Sequence, residues 1–210
     1  LTFASLSARS LMNHTEAAAA DIRSLKTQGA NAIAKAALRA LAADRAADPG
    51  ADGEALAATL SAARPNEPML RNLLKAFLAA DPGTQGSEVL AEAMLARVQV
   101  EEAAIASSGA GLIRDGMAVF THCHSSSAVG VLREAHRRGV RFKVFNTETR
   151  PRFQGRITAS ELAAEGIRVV HMVDSAAKVA LDGADLFLFG ADAILPSGYL
   201  VNKVGTGIFC

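Results

Sequence analysis

In the first half of the chain, apolar residues recur at helical spacing. In "LRNLLKAFL", Leu70, Leu73, Leu74, Phe77 and Leu78 fall at i, i+3, i+4, i+7 and i+8, on one face of a helix. "NAIAKAALRAL" repeats the pattern with Ile33, Ala37, Leu38 and Leu41, and "EVLAEAMLARV" with Leu90, Met94, Leu95 and Val98. Such stripes are core faces. The polar, Pro/Gly-containing stretch "DRAADPGADGE" (44–54) predicts a loop between helices. No strand pattern precedes Met117. From there the period shortens. The apolar runs "MAVF", "RFKVF", "RVVHMV" and "DLFLFG" begin near 117, 141, 168 and 185, separated by helix-like segments at 126–138, 158–165 and 175–181. This alternation predicts βαβ units and a parallel sheet. The expected fold is α/β: a helical N-terminal domain over 1–112, then a parallel, open-sheet, Rossmann-like domain over 113–210. The second domain reads as incomplete at its C-terminal end, and further α/β units are expected to follow Cys210.

Composition narrows the possibilities. The 210 residues carry a net charge of +1, with half of them hydrophobic and a fifth charged, enough to bury a sizeable core. A balance so near neutral gives no reason to expect nucleic acid or an anionic membrane as partner. Cys123 and Cys210 are the only cysteines, which excludes a disulfide scaffold. No apolar run approaches the roughly 20 residues that span a bilayer, and the N-terminus lacks a signal peptide's layout. A cytoplasmic protein is expected.

In open parallel sheets, ligands bind outside the carboxyl ends of the strands. The residues at those four places are "THCHSSS", "NTETRPRFQGR", "DSA" and "GADA", all crowded with polar and ionisable groups. A metal reading would use His122, Cys123 and His124. Adjacent residues of an extended segment point to alternating sides, however, and no ligand-spacing motif stands elsewhere; no metal and no cofactor are expected. Cys123 could also be a small buried hydrophobe. Ser125, Ser126 and Ser127 open a helix whose unpaired N–H groups and dipole favour an anion, although capping alone explains one hydroxyl. A dinucleotide reading fails because "GTG" (205–207) has Cys210 where a third glycine is needed. Asp174 is expected to cap the helix that begins "SAAKVAL". Asp192 follows an apolar, buried-looking strand, which is expected to raise its carboxyl pKa toward general-acid range.

The ordered set "THCHSSS", "TETRPRFQGRITASELAAEGI", "VDSAA", "GADAI" and "VNKVGTG" resembles one family. It joins methylthioribose-1-phosphate isomerases, ribose-1,5-bisphosphate isomerases and the regulatory subunits of the translation-initiation exchange factor. The resemblance is dense over 117–210 and thinner before it, in "IRSLKTQGANAIA" and "RPNEPMLRN". In the isomerases, a cysteine of the first motif and an aspartate of the "GAD" motif carry the chemistry. They correspond to Cys123 and Asp192, a pair that the regulatory subunits generally lack. "HCHSSS" is more similar to the ribose-1,5-bisphosphate branch than to the methylthioribose branch, whose equivalent reads Cys-Asn-Thr-Gly. The resemblance therefore implies an aldose–ketose isomerase making ribulose 1,5-bisphosphate, active as a homo-oligomer in nucleotide metabolism, with a nucleotide activator left open. It also implies that Gln28, Gly29, Ala30, Asn31, Arg64, Ser125, Ser126, Ser127, Gln154, Asn202 and Lys203 hold the phosphorylated pentose. Gln154 is taken from the methylthioribose branch. Two departures favour a non-catalytic regulator that binds a sugar phosphate or nucleotide. Gln28-Gly29-Ala30 stands where the isomerases have Arg-Gly-Ala, and a neutral amide does not replace a bidentate guanidinium on phosphate. "RPNEP" stands where they have Arg-Pro-Thr-Ala-Val. A methylthioribose-1-phosphate isomerase is a further alternative. Whether Cys123 accepts a proton or supports a hydride shift stays open.

Overall fold

A computed structural model describes residues 13–83 and 86–210. Five helices come first: α1 (His14–Arg23), α2 (Ala30–Ala47), α3 (Gly53–Ala63), α4 (Pro68–Leu78) and α5 (Gly86–Ala110). The chain divides into two compact units, Leu1–Ala96 and Arg97–Cys210. The division falls inside α5, ahead of the composition change near 112. No strand occurs among the described residues before Ala118.

The first unit is built on the predicted stripes. Ile33, Ala37, Leu38 and Leu41 of α2 pack with Leu70, Leu74 and Phe77 of α4 and with Leu95 of α5 in one buried cluster. Side-chain oxygens close the helix starts: Asn13 accepts from the Glu16 N–H, and Asp52 from those of Glu54 and Ala55. The 44–54 loop is shorter than expected, because α2 continues to Ala47 and α3 begins at Gly53. The charges that gave the stretch a loop-like look have internal partners. Buried Asp44 accepts from the His14 and Thr15 N–H groups at 2.9 and 2.8 Å, and Arg45 pairs with Asp81 at 2.7 Å.

In the second unit come β1 (Ala118–His122), α6 (Ser126–Arg137), β2 (Lys143–Thr147), α7 (Gln154–Ala164) and β3 (Arg168–Met172). A 3-10 turn (Asp174–Ala176), α8 (Ala177–Asp182) and β4 (Leu186–Phe187) follow. The sheet is parallel throughout, in the order β3-β2-β1-β4. Leaving β1, the chain builds β2 and β3 on one side and returns to place β4 on the other. The carboxyl end of β1 is therefore the topological switch point, where such sheets open a crevice. Alternation along the strands separates two faces. Val119 and Val144 pack with Val129, Leu132, Ala135 and Leu162 of α6 and α7. Phe120 packs with Ala177 and Ala180 of α8 and with Phe145, Phe187 and Phe209.

Three local expectations are corrected. The helix after β2 starts at Gln154, one turn before 158. "DLFLFG" pairs only over Leu186–Phe187. Beyond it lies an unpredicted antiparallel hairpin, β5 (Ala193–Ile194) with β6 (Leu200–Val201), closed by a turn in which Gly198 has φ +83°. A short helix, α9 (Thr206–Phe209), ends the described chain. No helix among the described residues is long and apolar enough to cross a membrane.

Candidate active site

β1 is buried along its whole length and stops at His122. The chain then turns at once, because Cys123 adopts φ +67°, in the left-handed region. The extended path assumed from the sequence is thus wrong at this residue. Among the described residues, four other than glycine have positive φ. Three of them, Cys123, Thr149 (+63°) and Phe153 (+54°), lie at this end of the sheet. Each such conformation costs on the order of 1–3 kcal/mol, and such strain clusters at functional sites.

The local contacts that hold the turn are specific. The Cys123 N–H donates to Thr149 Oγ1 at 2.9 Å, and the Cys123 carbonyl accepts from the Thr158 hydroxyl at 2.9 Å. With that hydroxyl proton committed, Thr158 Oγ1 accepts from His124 Nδ1–H at 3.0 Å. The Cys123 thiol lies 3.8 Å from Gln154 Oε1. Gln154 comes so near because the first turn of α7 is pressed onto the end of β2: a Cβ on Gly155 would fall 1.7 Å from the Thr147 carbonyl oxygen. A second close approach brings the "GAD" motif to the serines, since a Cβ on Gly190 would fall 2.3 Å from Ser125 Oγ. Ser125 caps α6 by accepting from the Ala128 N–H at 3.3 Å, while Ser126 is exposed and Ser127 half-buried.

Burial pushes the Cys123 thiol above the ordinary cysteine range; Asp192 and Asp174 push the same way, against the His124 N–H and Lys203. The sulfur therefore keeps its proton at neutral pH. Buried His122 is pushed the other way, downward, by burial and Lys203 against Asp174. Its ring also packs on Phe209, with centroids 4.8 Å apart.

Two aspartates differ from expectation. Asp192 is exposed, not enclosed by an apolar strand, because β4 stops at Phe187 and the chain has left the sheet by Asp192. Its N–H joins the hairpin, donating to the Val201 carbonyl at 2.8 Å. Asp174 makes no cap to the helix that follows. Its carboxylate turns to the loop after β2 and accepts from the Thr149 and Arg150 N–H groups, both at 2.7 Å.

The structure thus brings Cys123 against Gln154 and Ser125 against Gly190, with Asp192 and Lys203 within electrostatic reach of the thiol. Asn202 donates to Thr206 Oγ1 at 3.3 Å beside them in sequence. The remaining candidates belong to the first unit. Gln28 is exposed, Gly29 (φ +86°) and Ala30 start α2, Asn31 has a buried Oδ1 with no hydrogen-bond partner, and Arg64 ends α3. Thr147, Thr149 and Thr158 escaped the sequence reading. The alternating threonines of "NTET", running off the end of β2, were the available sign.

Residues 26–210 match the initiation factor 2 subunit family. The chain belongs to that family. Its curated members include the ribose 1,5-bisphosphate isomerase of Archaeoglobus fulgidus, 36% identical over 198 residues that make up 90% of this chain and 63% of that protein. The ribose 1,5-bisphosphate isomerase of Thermococcus kodakarensis is 46% identical over 104 residues, 50% of this chain and 32% of that protein. The chain therefore spans less than two thirds of the length of these relatives. Among solved structures, the translation initiation factor eIF-2B of Pyrococcus horikoshii superposes with a TM-score of 0.82 at 29% identity, covering 93% of this chain and 72% of that one.

Proposed function

We propose that this member of the family is an aldose–ketose isomerase that converts ribose 1,5-bisphosphate to ribulose 1,5-bisphosphate. The observation that carries the reading is the strained Cys123 at the switch point, its half-buried thiol set against Gln154 and within the fields of Asp192 and Lys203. Relatives named for this activity support the choice of sugar. A sugar phosphorylated at its anomeric carbon cannot open its ring unaided. In the proposed reaction Asp192 gives a proton to the ring oxygen as the bond from C1 to that oxygen breaks. The hydrogen on C2 then moves to C1 with its electron pair, and the C2 hydroxyl returns a proton to Asp192 as the ketone forms. A thiol that keeps its proton favours this hydride shift over proton abstraction by sulfur. Cys123 lines the path and excludes water. Ser125, Ser126 and Ser127, with Gln154, Asn202 and Lys203, hold phosphate and hydroxyl groups. The contribution of Gln28, Gly29, Ala30, Asn31 and Arg64 rests on the resemblance alone.

Gln28, in place of the isomerases' arginine, favours one other reading, a regulator that binds a sugar phosphate without converting it. The two are separated by incubating the full-length protein with several pentose phosphates and following ketose formation by carbon NMR. Ribulose 1,5-bisphosphate should appear, and Asp192→Asn should slow turnover by at least the ~10²-fold typical of a lost acid or base, with substrate still bound; Cys123→Ser should slow it as well, with substrate still bound. Binding without conversion by the unaltered protein would establish the regulator instead.

A further inference from the structure

Asp174 is half-buried at the end of β3, and no step of the proposed reaction uses it. Its hydrogen bonds nevertheless connect it to Cys123, just past the end of β1. One oxygen accepts from the Thr149 N–H and the other from the Arg150 N–H, both at 2.7 Å. Thr149 passes the connection on, since its Oγ1 accepts the Cys123 N–H at 2.9 Å. Next to it in the sheet, His122 Nδ1 and Thr147 Oγ1 lie 2.6 Å apart. One carboxylate thus ties the ends of three parallel strands: β3 through itself, β2 through the loop of Thr149 and Arg150, and β1 through the Cys123 backbone N–H.

We propose that Asp174 is a positioning residue for Cys123, acting through Thr149 on the Cys123 backbone. A carboxylate is required because two N–H donors converge on it, one on each oxygen. An amide offers a single accepting oxygen, and its NH2 group would face N–H donors. Without the anchor, the loop holding Thr149 at positive φ relaxes, and Cys123 loses the partner that keeps it in the left-handed turn. The negative charge has a second effect. The ionisable groups acting on the thiol are Lys203, Asp192 and Asp174, and those acting on His122 are Asp174 and Lys203. Asp174 thus helps keep the sulfur protonated and moderates the loss of basicity at His122.

The kinetic arm of the test rests on the isomerase reading; the thiol arm does not. In a Cys210→Ser background of the full-length protein, alkylation of Cys123 by iodoacetamide, read on the peptide that contains Cys123, is followed against pH. Asp174→Asn should move the alkylation midpoint to lower pH, since a charge opposing the thiolate is gone. With ribose 1,5-bisphosphate it should lower kcat by about tenfold to a hundredfold, the cost of sub-ångström to ångström misplacement, with KM little changed. Thr149→Val, which removes the hydroxyl but no charge, should reproduce the fall in kcat and alter the alkylation rate, and Thr149→Ser should restore both. An unshifted midpoint in Asp174→Asn, or wild-type thiol reactivity in Thr149→Val, overturns the proposal. If Asp174→Asn does not fold, the Thr149 pair decides. If the unaltered protein converts no pentose phosphate, the isomerase reading falls and the thiol titrations alone decide the role of Asp174.

Discussion

At the scale of single residues, the end of β1 sets His122, whose pKa is pushed down, beside Cys123, whose pKa is pushed up. For His122 the folded-state pKa lies below its unfolded value, because burial disfavours the imidazolium more than Asp174 favours it. Its contribution to stability is complete above the unfolded pKa of about 6.5 and is lost as pH falls through the folded value, since the unfolded chain takes up the proton first. Asp174 is shifted down as well. Burial acts against this, but hydrogen bonds from Arg150 and Thr149 outweigh it. Its stabilisation is present above the ordinary aspartate pKa of about 3.9 and lost only as pH drops below that range. Urea unfolding should therefore show a first loss of stability between about pH 7 and pH 5, the window of histidine titration, and a second in strong acid. His122→Gln should reduce the first loss and leave the second. An equal first loss in that variant would place its origin elsewhere.

At the scale of elements, the contact of α7 with β2 is the least forgiving. The missing side chain of Gly155 lets the helix start at Gln154 and bring that amide to the thiol. Gly155→Ala forces backbone atoms apart, and overpacking of this kind costs about 1–3 kcal/mol. We expect a lower melting temperature together with a fall in turnover, whereas Ala159→Ser on the same helix should change neither appreciably. What could be read in advance at this scale follows from range. Helix stripes such as Leu70, Leu74 and Phe77 are local, and their period shows in any short window. The four strands were found because each begins an apolar run, but how far they pair depends on neighbours. "DLFLFG" looks like a full strand yet pairs over two residues, which is why Asp192 was expected in an apolar setting and stands exposed. Strands as short as β5 and β6 have no period to detect. Cys123 and Gln154 stood out through the family motifs. Asp174 lies in the motif "VDSAA" but was expected only as a helix cap, because its partners Thr149 and Arg150 lie 25 and 24 residues away, and a carboxylate's type does not tell which N–H groups it will meet.

At the scale of the whole molecule, several large apolar side chains near the end of the sequence face solvent: Ile194, Tyr199, Val204 and Ile208 are 73, 75, 95 and 84% exposed. Apolar surface of this kind marks interaction sites or aggregation liabilities. The 210-residue chain should accordingly bind a hydrophobic dye in its native state, and Ile194→Thr combined with Ile208→Ser should weaken the signal without lowering the melting temperature. Unaltered fluorescence in the double variant would assign the dye to another surface. The placement of β1 between β2 and β4 has a consequence for the order in which the protein is made. The Ala118 N–H is bonded to Asp185, 67 residues later, and pairings of long range form slowly because a large loop must close first. A nascent chain that has just passed β3 and the turn at Asp174–Ala176 already carries Cys123, Thr149 and Asp174, yet lacks Gly190, Asp192 and Lys203. The thiol is therefore complete in covalent terms well before it is complete electrostatically, and it takes on its final reactivity only when the segment 190–203 emerges and docks.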